Sequence, residues 1–187
     1  MSDQSASSAR TLSDSIKRLD LDSSRDDTIS LFFSCDVIRN IMRVIDVSAS
    51  QGHIVPTAFT FFNGAFYVGN LSTFPVEPGA SKILKINVGG KIKSIGAGLT
   101  TVVGVAFDAQ GRMYALETDT VPGFPGPAAA GSGQVVRIED DGTLTTVASC
   151  LVFPTGMTFG PNGALYVSNF GFGLPPGFGQ IVRIIVP

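Results

Sequence analysis

The sequence predicts an all-β chain of β-propeller blades, three four-stranded repeats forming a partial or incomplete propeller, behind a disordered or partly helical N-terminal segment. Three observations carry this. One strand-turn-strand motif occurs three times between His53 and Pro187, each copy leads to an apolar run broken by one basic residue, and all three tyrosines of the chain share one motif position. Self-similarity at a fixed period is the sequence signature of repeat architectures, and four strands per unit is the signature of a blade.

Residues 1–28 hold eight serines and six aspartates with few apolar side chains. That is too little to offset the entropy of ordering, so a disordered tail is expected, with Leu12, Ile16 and Leu19 at helical spacing inside it. Residues 29–52 are apolar and read two ways. Val37, Ile38, Ile41, Met42 and Ile45 fit a helical stripe, while Ile41-Met42-Arg43-Val44 fits a strand and resembles the third strand of an earlier blade, which suggests truncation.

The first blade, about 53–98, runs from Pro56-Thr-Ala-Phe-Thr-Phe61 through the turn Asn63-Gly64 to Ala65-Phe-Tyr67-Val-Gly-Asn70. A third strand is expected at Ile83-Leu-Lys85-Ile86 and a fourth at 91–97, after Val88-Gly-Gly90. The second blade, about 99–150, repeats this as Val102-Val-Gly-Val-Ala-Phe107, Gln110-Gly111, Tyr114-Ala-Leu-Glu117 and Val135-Val-Arg137-Ile138, with a fourth strand at 143–149 after Asp140-Asp-Gly142. The third, about 151–187, has Pro154-Thr-Gly-Met-Thr-Phe159, Asn162-Gly163, Tyr166-Val-Ser-Asn169 and Ile181-Val-Arg183-Ile184. The tyrosines stand 47 and 52 residues apart, within the range of blade repeats. Asn-Gly and Gln-Gly supply the positive φ of a tight hairpin, and alternating apolar residues bury a face between neighbouring blades. No helix follows these glycines, so they are turn residues and not a phosphate-binding loop.

Composition narrows the function. Hydrophobic residues make up 44% of the chain and charged ones 15%, as in a globular protein. From His53 onward seven acids meet seven bases, so there is no broad field for nucleic acid, and no nucleic-acid partner is expected. No apolar run has the length to span a bilayer, so no membrane partner is expected, and the start MSDQSASSAR does not read as a secretory signal. Cys35 and Cys150 lack CxxC spacing; buried thiols are the default expectation, with a disulfide as the alternative.

The repeats resemble those of the ScyD/ScyE family, named for the scytonemin pigment clusters of cyanobacteria and related to the NHL and TolB-like six-bladed propellers. The residues that carry the resemblance are His53-Ile-Val-Pro-Thr57, Tyr67-Val-Gly-Asn-Leu71 with Phe74-Pro75, Asp140-Asp-Gly-Thr143 with Thr146-Val-Ala148, and Pro161-Asn-Gly-Ala-Leu-Tyr-Val-Ser-Asn169. It implies a complete propeller behind a signal peptide, hence a secreted or periplasmic protein, and a role accessory to secondary-metabolite biosynthesis. This chain departs from that pattern in its leader and in offering three repeats. For an open half ring three solutions are expected: two chains pairing into six blades, closure of the last blade by residues 29–47, or a poorly stable fragment. Self-association is preferred, because open blade faces and edges favour it.

Candidate functional positions are few. Asn70, Glu117 and Asn169 each follow the repeat tyrosine by three residues and, as oxygen donors in equivalent places, are candidate ligand-binding or Ca²⁺-binding groups. The competing reading is that they cap strand ends and bind loops. Related metal-dependent lactonases take ligands from the start of the first strand, but here those positions hold Thr57, Val103 and Thr155. His53 has no neighbouring carboxylate or serine arrangement, so no catalytic residue is assigned. The loops between second and third strands are rich in Pro, Gly and apolar side chains and carry Phe74, Phe124 and Phe172. Such a rim suits an apolar or aromatic small molecule, or a protein partner's side chain. A non-enzymatic binding module or scaffold is therefore expected, the alternative being a metal-dependent, lactonase-like hydrolase.

Overall fold

The computed structural model describes residues 45–121 and 129–187. The tail at 1–28, most of the ambiguous segment, Cys35 and Phe124 lie outside them. Within them, a one-turn helix α1 (Ser48–Gln51) precedes eleven strands. They are β1 (Pro56–Phe62), β2 (Ala65–Asn70), β3 (Ser81–Asn87), β4 (Ile92–Leu99), β5 (Val102–Phe107), β6 (Met113–Glu117), β7 (Gly133–Ile138), β8 (Leu144–Leu151), β9 (Gly156–Phe159), β10 (Leu165–Asn169) and β11 (Gln180–Ile184). They form three antiparallel meanders, β1-β2-β3-β4, β5-β6-β7-β8 and β9-β10-β11. These are three consecutive β-propeller blades, the third with three strands among the described residues.

The repeats agree in register as well as in order. Tyr67 pairs with Thr60 and Lys85, Tyr114 with Ala106 and Arg137, and Tyr166 with Thr158 and Arg183. This places the basic residue of each third strand beside the tyrosine of the second, and Lys85 Nζ lies 5.5 Å from the Tyr67 ring centroid. The first hairpin turn uses positive φ at both Asn63 and Gly64, as a two-residue type I′ turn requires; in the other blades Gly111 and Gly163 supply it alone. The fourth strands run two residues further than the apolar pattern suggests, to Leu99 and Leu151, which are both buried.

Neighbouring blades stack face to face. Ala58, Tyr67 and Ile83 of the first blade pack with Val105, Ala115, Val136 and Ile138 of the second. Tyr114, Leu116 and Val135 of the second pack with Leu165 and Val167 of the third. An aromatic contact repeats at each junction: Tyr67 meets Phe107 edge-on at 4.7 Å, and Tyr114 meets Phe159 edge-on at 5.1 Å. The repeat tyrosine of one blade thus seats on the phenylalanine that ends the first strand of the next. Gly69 permits close approach, because a Cβ there would stand 2.6 Å from Val102 Cγ1. On the other face of the first blade, Ile45, Val47 and Ile54 pack against Val68, Leu84 and Ile86.

Burial of the cysteines is corrected for Cys150, which is exposed with a free thiol and φ of 61°. Its counterpart Gly98 has φ of 86°. The position therefore demands left-handed backbone, which points the thiol to solvent, and not a small packed side chain.

Candidate functional site

Each blade is a meander, so its second-to-third-strand loop lies at the end of the sheet where its first strand begins. The polar repeat positions lie at this end, and each binds the backbone of the connection leading into its own blade. Asn70 Oδ1 accepts from Val55 N at 2.7 Å and Ser72 N at 3.1 Å. Glu117 Oε1 accepts from Thr100 N at 2.6 Å, and its Oε2 from Gln134 Nε2 at 2.7 Å. Asn169 Oδ1 accepts from Val152 N at 2.8 Å. All three residues are buried. A buried backbone N–H left without an acceptor is costly, so these side chains fasten the incoming connection to the end of the second strand. The structure thus places all three in equivalent hydrogen-bonded positions, one per blade. Among the described residues no group of three or more His, Cys, Asp or Glu side chains is arranged to hold a metal ion.

The same end carries further polar groups. Ser81 Oγ donates to the Asn70 carbonyl, and Gly79 N donates to Thr100 Oγ1 at 3.2 Å, tying the first loop to the second blade. Asp119 Oδ1 accepts from Val121 N at 2.8 Å and from Ser132 Oγ, which closes the base of the second loop. Its Oδ2, like Thr118 Oγ1, is buried without a hydrogen-bond partner among the described residues. Thr57 Oγ1 donates to the Val102 carbonyl across the first junction, Thr155 Oγ1 lies 3.3 Å from Ser168 Oγ, and His53 is exposed in the connection before β1.

Over this polar layer the loops present apolar side chains to solvent: Phe74, Val121, Phe172, Leu174 and Phe178 are all exposed. Phe172 leans on Phe153 of the incoming connection at 4.9 Å. Phe178 and Val121 extend the rim beyond the phenylalanines expected from sequence. Their signal was the loop composition itself, diluted by the glycines and prolines around them.

At the opposite end, a groove of about 710 Å³ separates the first two blades, lined by Tyr67, Lys85, Lys93, Arg112, Glu139 and Asp141 among others. It was not visible in the sequence, because its walls come from turns of different blades. Beside it Arg112 Nε pairs with Asp108 Oδ2 at 2.6 Å, and Tyr114 Oη donates to the same oxygen at 3.1 Å. Burial pushes the Asp108 carboxyl up, but hydrogen bonds from Arg112 and Tyr114 outweigh it and hold the group below the ordinary aspartate value. Burial, and the bond to Asp108, raise the Tyr114 phenol. Arg137 Nε pairs with Glu139 at 2.8 Å, and Glu139 is lowered first by Thr145 and then by Arg137. Two of the charge pairs around the groove, Arg112 with Asp108 and Arg137 with Glu139, thus lie within the second blade.

No family model matches the chain, and no curated protein matches it. Solved structures do. A luciferin-regenerating enzyme is similar at a TM-score of 0.43 and 14% identity, over 68% of this chain and 43% of that one. A candidate gluconolactonase is similar at 0.39 and 17%, over 71% of this chain and 64% of that one. A streptogramin B lyase is similar at 0.27 and 16%, over 60% and 61%. The chain thus spans less than two thirds of the length of each of these proteins.

Proposed function

We propose that this propeller chain is a non-enzymatic binding module whose ligand, a small apolar or aromatic molecule, sits against the rim formed by the loops at 71–80 and 170–179. The observation that carries the reading is the exposure of Phe74, Phe172, Leu174 and Phe178 on loops held at one end of the blades. Exposed aromatic side chains on a rigid scaffold are the usual makings of an apolar binding surface, with a protein's hydrophobic side chain as the other occupant that this chemistry fits. The likeness of the repeats to the ScyD/ScyE series supports a role accessory to secondary-metabolite biosynthesis.

The equivalent polar positions support the same reading by what they already do. To serve as Ca²⁺ ligands or in a lactonase-like centre, Asn70, Glu117 and Asn169 would have to share or give up bonds to Val55, Thr100 and Val152. The test is titration with a panel of aromatic fluorophores. Phe172→Ala and Phe74→Ala are expected to weaken binding at least tenfold while the melting temperature stays within about 2 °C, a surface-substitution effect. Unchanged affinity in both variants would remove the rim from the function.

A further inference from the structure

We propose that the two outer blade faces are halves of one interface, and that a second copy of this chain covers them head to tail. The inference stands apart from the ligand reading, because it concerns the sides of the blades and not their loops. Its basis is continuity with the two junctions inside the chain. At each junction a tyrosine of one blade meets a phenylalanine of the next, Tyr67 with Phe107 and Tyr114 with Phe159. One tyrosine and one phenylalanine of this series are left over. Tyr166 stands on the outer face of the third blade, where among the described residues no aromatic ring packs on it. Phe61, the counterpart of Phe107 and Phe159, stands on the outer face of the first and is 56% exposed.

Burial at the neighbouring positions says the same. Ile83 and Val135 are each 0% exposed beneath the next blade, whereas their counterpart Ile181 is 71% exposed. Val105 is 6% exposed against the preceding blade, whereas its counterpart Phe59 is 69% exposed. Among the described residues, the outer faces thus keep the apolar side chains of a junction without a partner that buries them. On the first blade, Ile45, Val47 and Ile54 cover Val68, Leu84 and Ile86 on the second and third strands. Among the described residues nothing covers Phe59 and Phe61 of the first strand, at the register where the other blades receive their tyrosine. A Tyr166 face on one copy meeting a Phe61 face on another is a heterologous contact, and made twice it closes two sets of three blades into a ring of six.

The test uses the full 187-residue chain in size-exclusion chromatography with light scattering, from about 1 to 100 µM, the range in which weak dimers form. The expected mass is twice the 19.5 kDa of one chain. Tyr166→Asp and Phe61→Asp should each be monomeric with an unchanged far-ultraviolet circular dichroism spectrum. Mixed one to one at the highest concentration, they should recover the dimer mass, because one intact Tyr166–Phe61 contact remains between unlike variants. A wild-type monomer throughout the range would overturn the proposal, as would a dimer that survives both substitutions or a mixture that stays monomeric. Should either aspartate variant lose its spectrum, Tyr166→Ala and Phe61→Ala replace them with the same expected masses.

Discussion

Replacing Glu117 separates a structural role from a ligand-binding one. Its carboxylate is buried, with one oxygen 2.6 Å from Thr100 N and the other 2.7 Å from Gln134 Nε2. Glu117→Ala removes two bonds to a charged acceptor, about 1.5–3 kcal/mol each, and leaves the N–H of buried Thr100 without a partner. Release of a buried charge offsets part of this, so the net loss is about 3 kcal/mol. For a chain of this size that lowers the melting temperature by roughly 6–12 °C. Glu117→Gln keeps an acceptor for Thr100, and Gln134 has to turn its carbonyl toward the new amide, so the loss falls to about 1 kcal/mol. Urea and thermal melts of the three proteins, with and without millimolar calcium, read both quantities. The wild-type curve is expected to be the same in both buffers. A Glu117→Ala protein within about 0.5 kcal/mol of wild type, the scale of neutral surface changes, would refute the cap. So would a calcium-dependent rise that vanishes in that variant.

Three further outcomes follow from packing and charge. Gly69→Ala puts a Cβ 2.6 Å from Val102 Cγ1 and 2.9 Å from Ala58 Cβ, and overpacking there should cost about 1–3 kcal/mol in a urea melt. Cys150→Gly relieves left-handed backbone at φ of 61° and should raise stability by up to about 1 kcal/mol, the strain being partly offset by a more flexible unfolded chain; native Cys150 should also react with a thiol reagent without denaturant. The Asp108 carboxyl is held below its ordinary value, so it contributes stability above about pH 4 that is lost as pH falls toward its folded value. In Asp108→Asn that acid-side loss should be smaller, as pH-dependent melts between pH 2 and about 5 can show.

Much of the fold was legible because propeller blades repeat a local pattern. The Asn63-Gly64, Gln110-Gly111 and Asn162-Gly163 turns, the tyrosines and the basic residue of each third strand marked the strand order without long-range information, and three antiparallel sheets formed in that order, the third with three strands among the described residues. The ends of the fourth strands were less legible, since Gly98 and Cys150 stand where backbone conformation decides and side-chain size does not. The equivalence of Asn70, Glu117 and Asn169 was visible, but their partners were not. Val55, Thr100 and Val152 lie 15 to 17 residues upstream and offer only backbone. The charged groove between the first two blades was hidden for a related reason: its walls join turns from separate repeats. The rim was legible as composition, and its exposed members only from the fold.

The central claim is that the chain's recurrent residues build the blades while the loop rim binds. Two-dimensional amide NMR during titration with an aromatic ligand tests it most directly. The account predicts shifts concentrated at residues 71–80 and 170–179, with Lys85, Lys93 and Asp141 in the opposite groove unmoved. Shifts centred on that groove, or on Asn70, Glu117 and Asn169 with the rim silent, would contradict it.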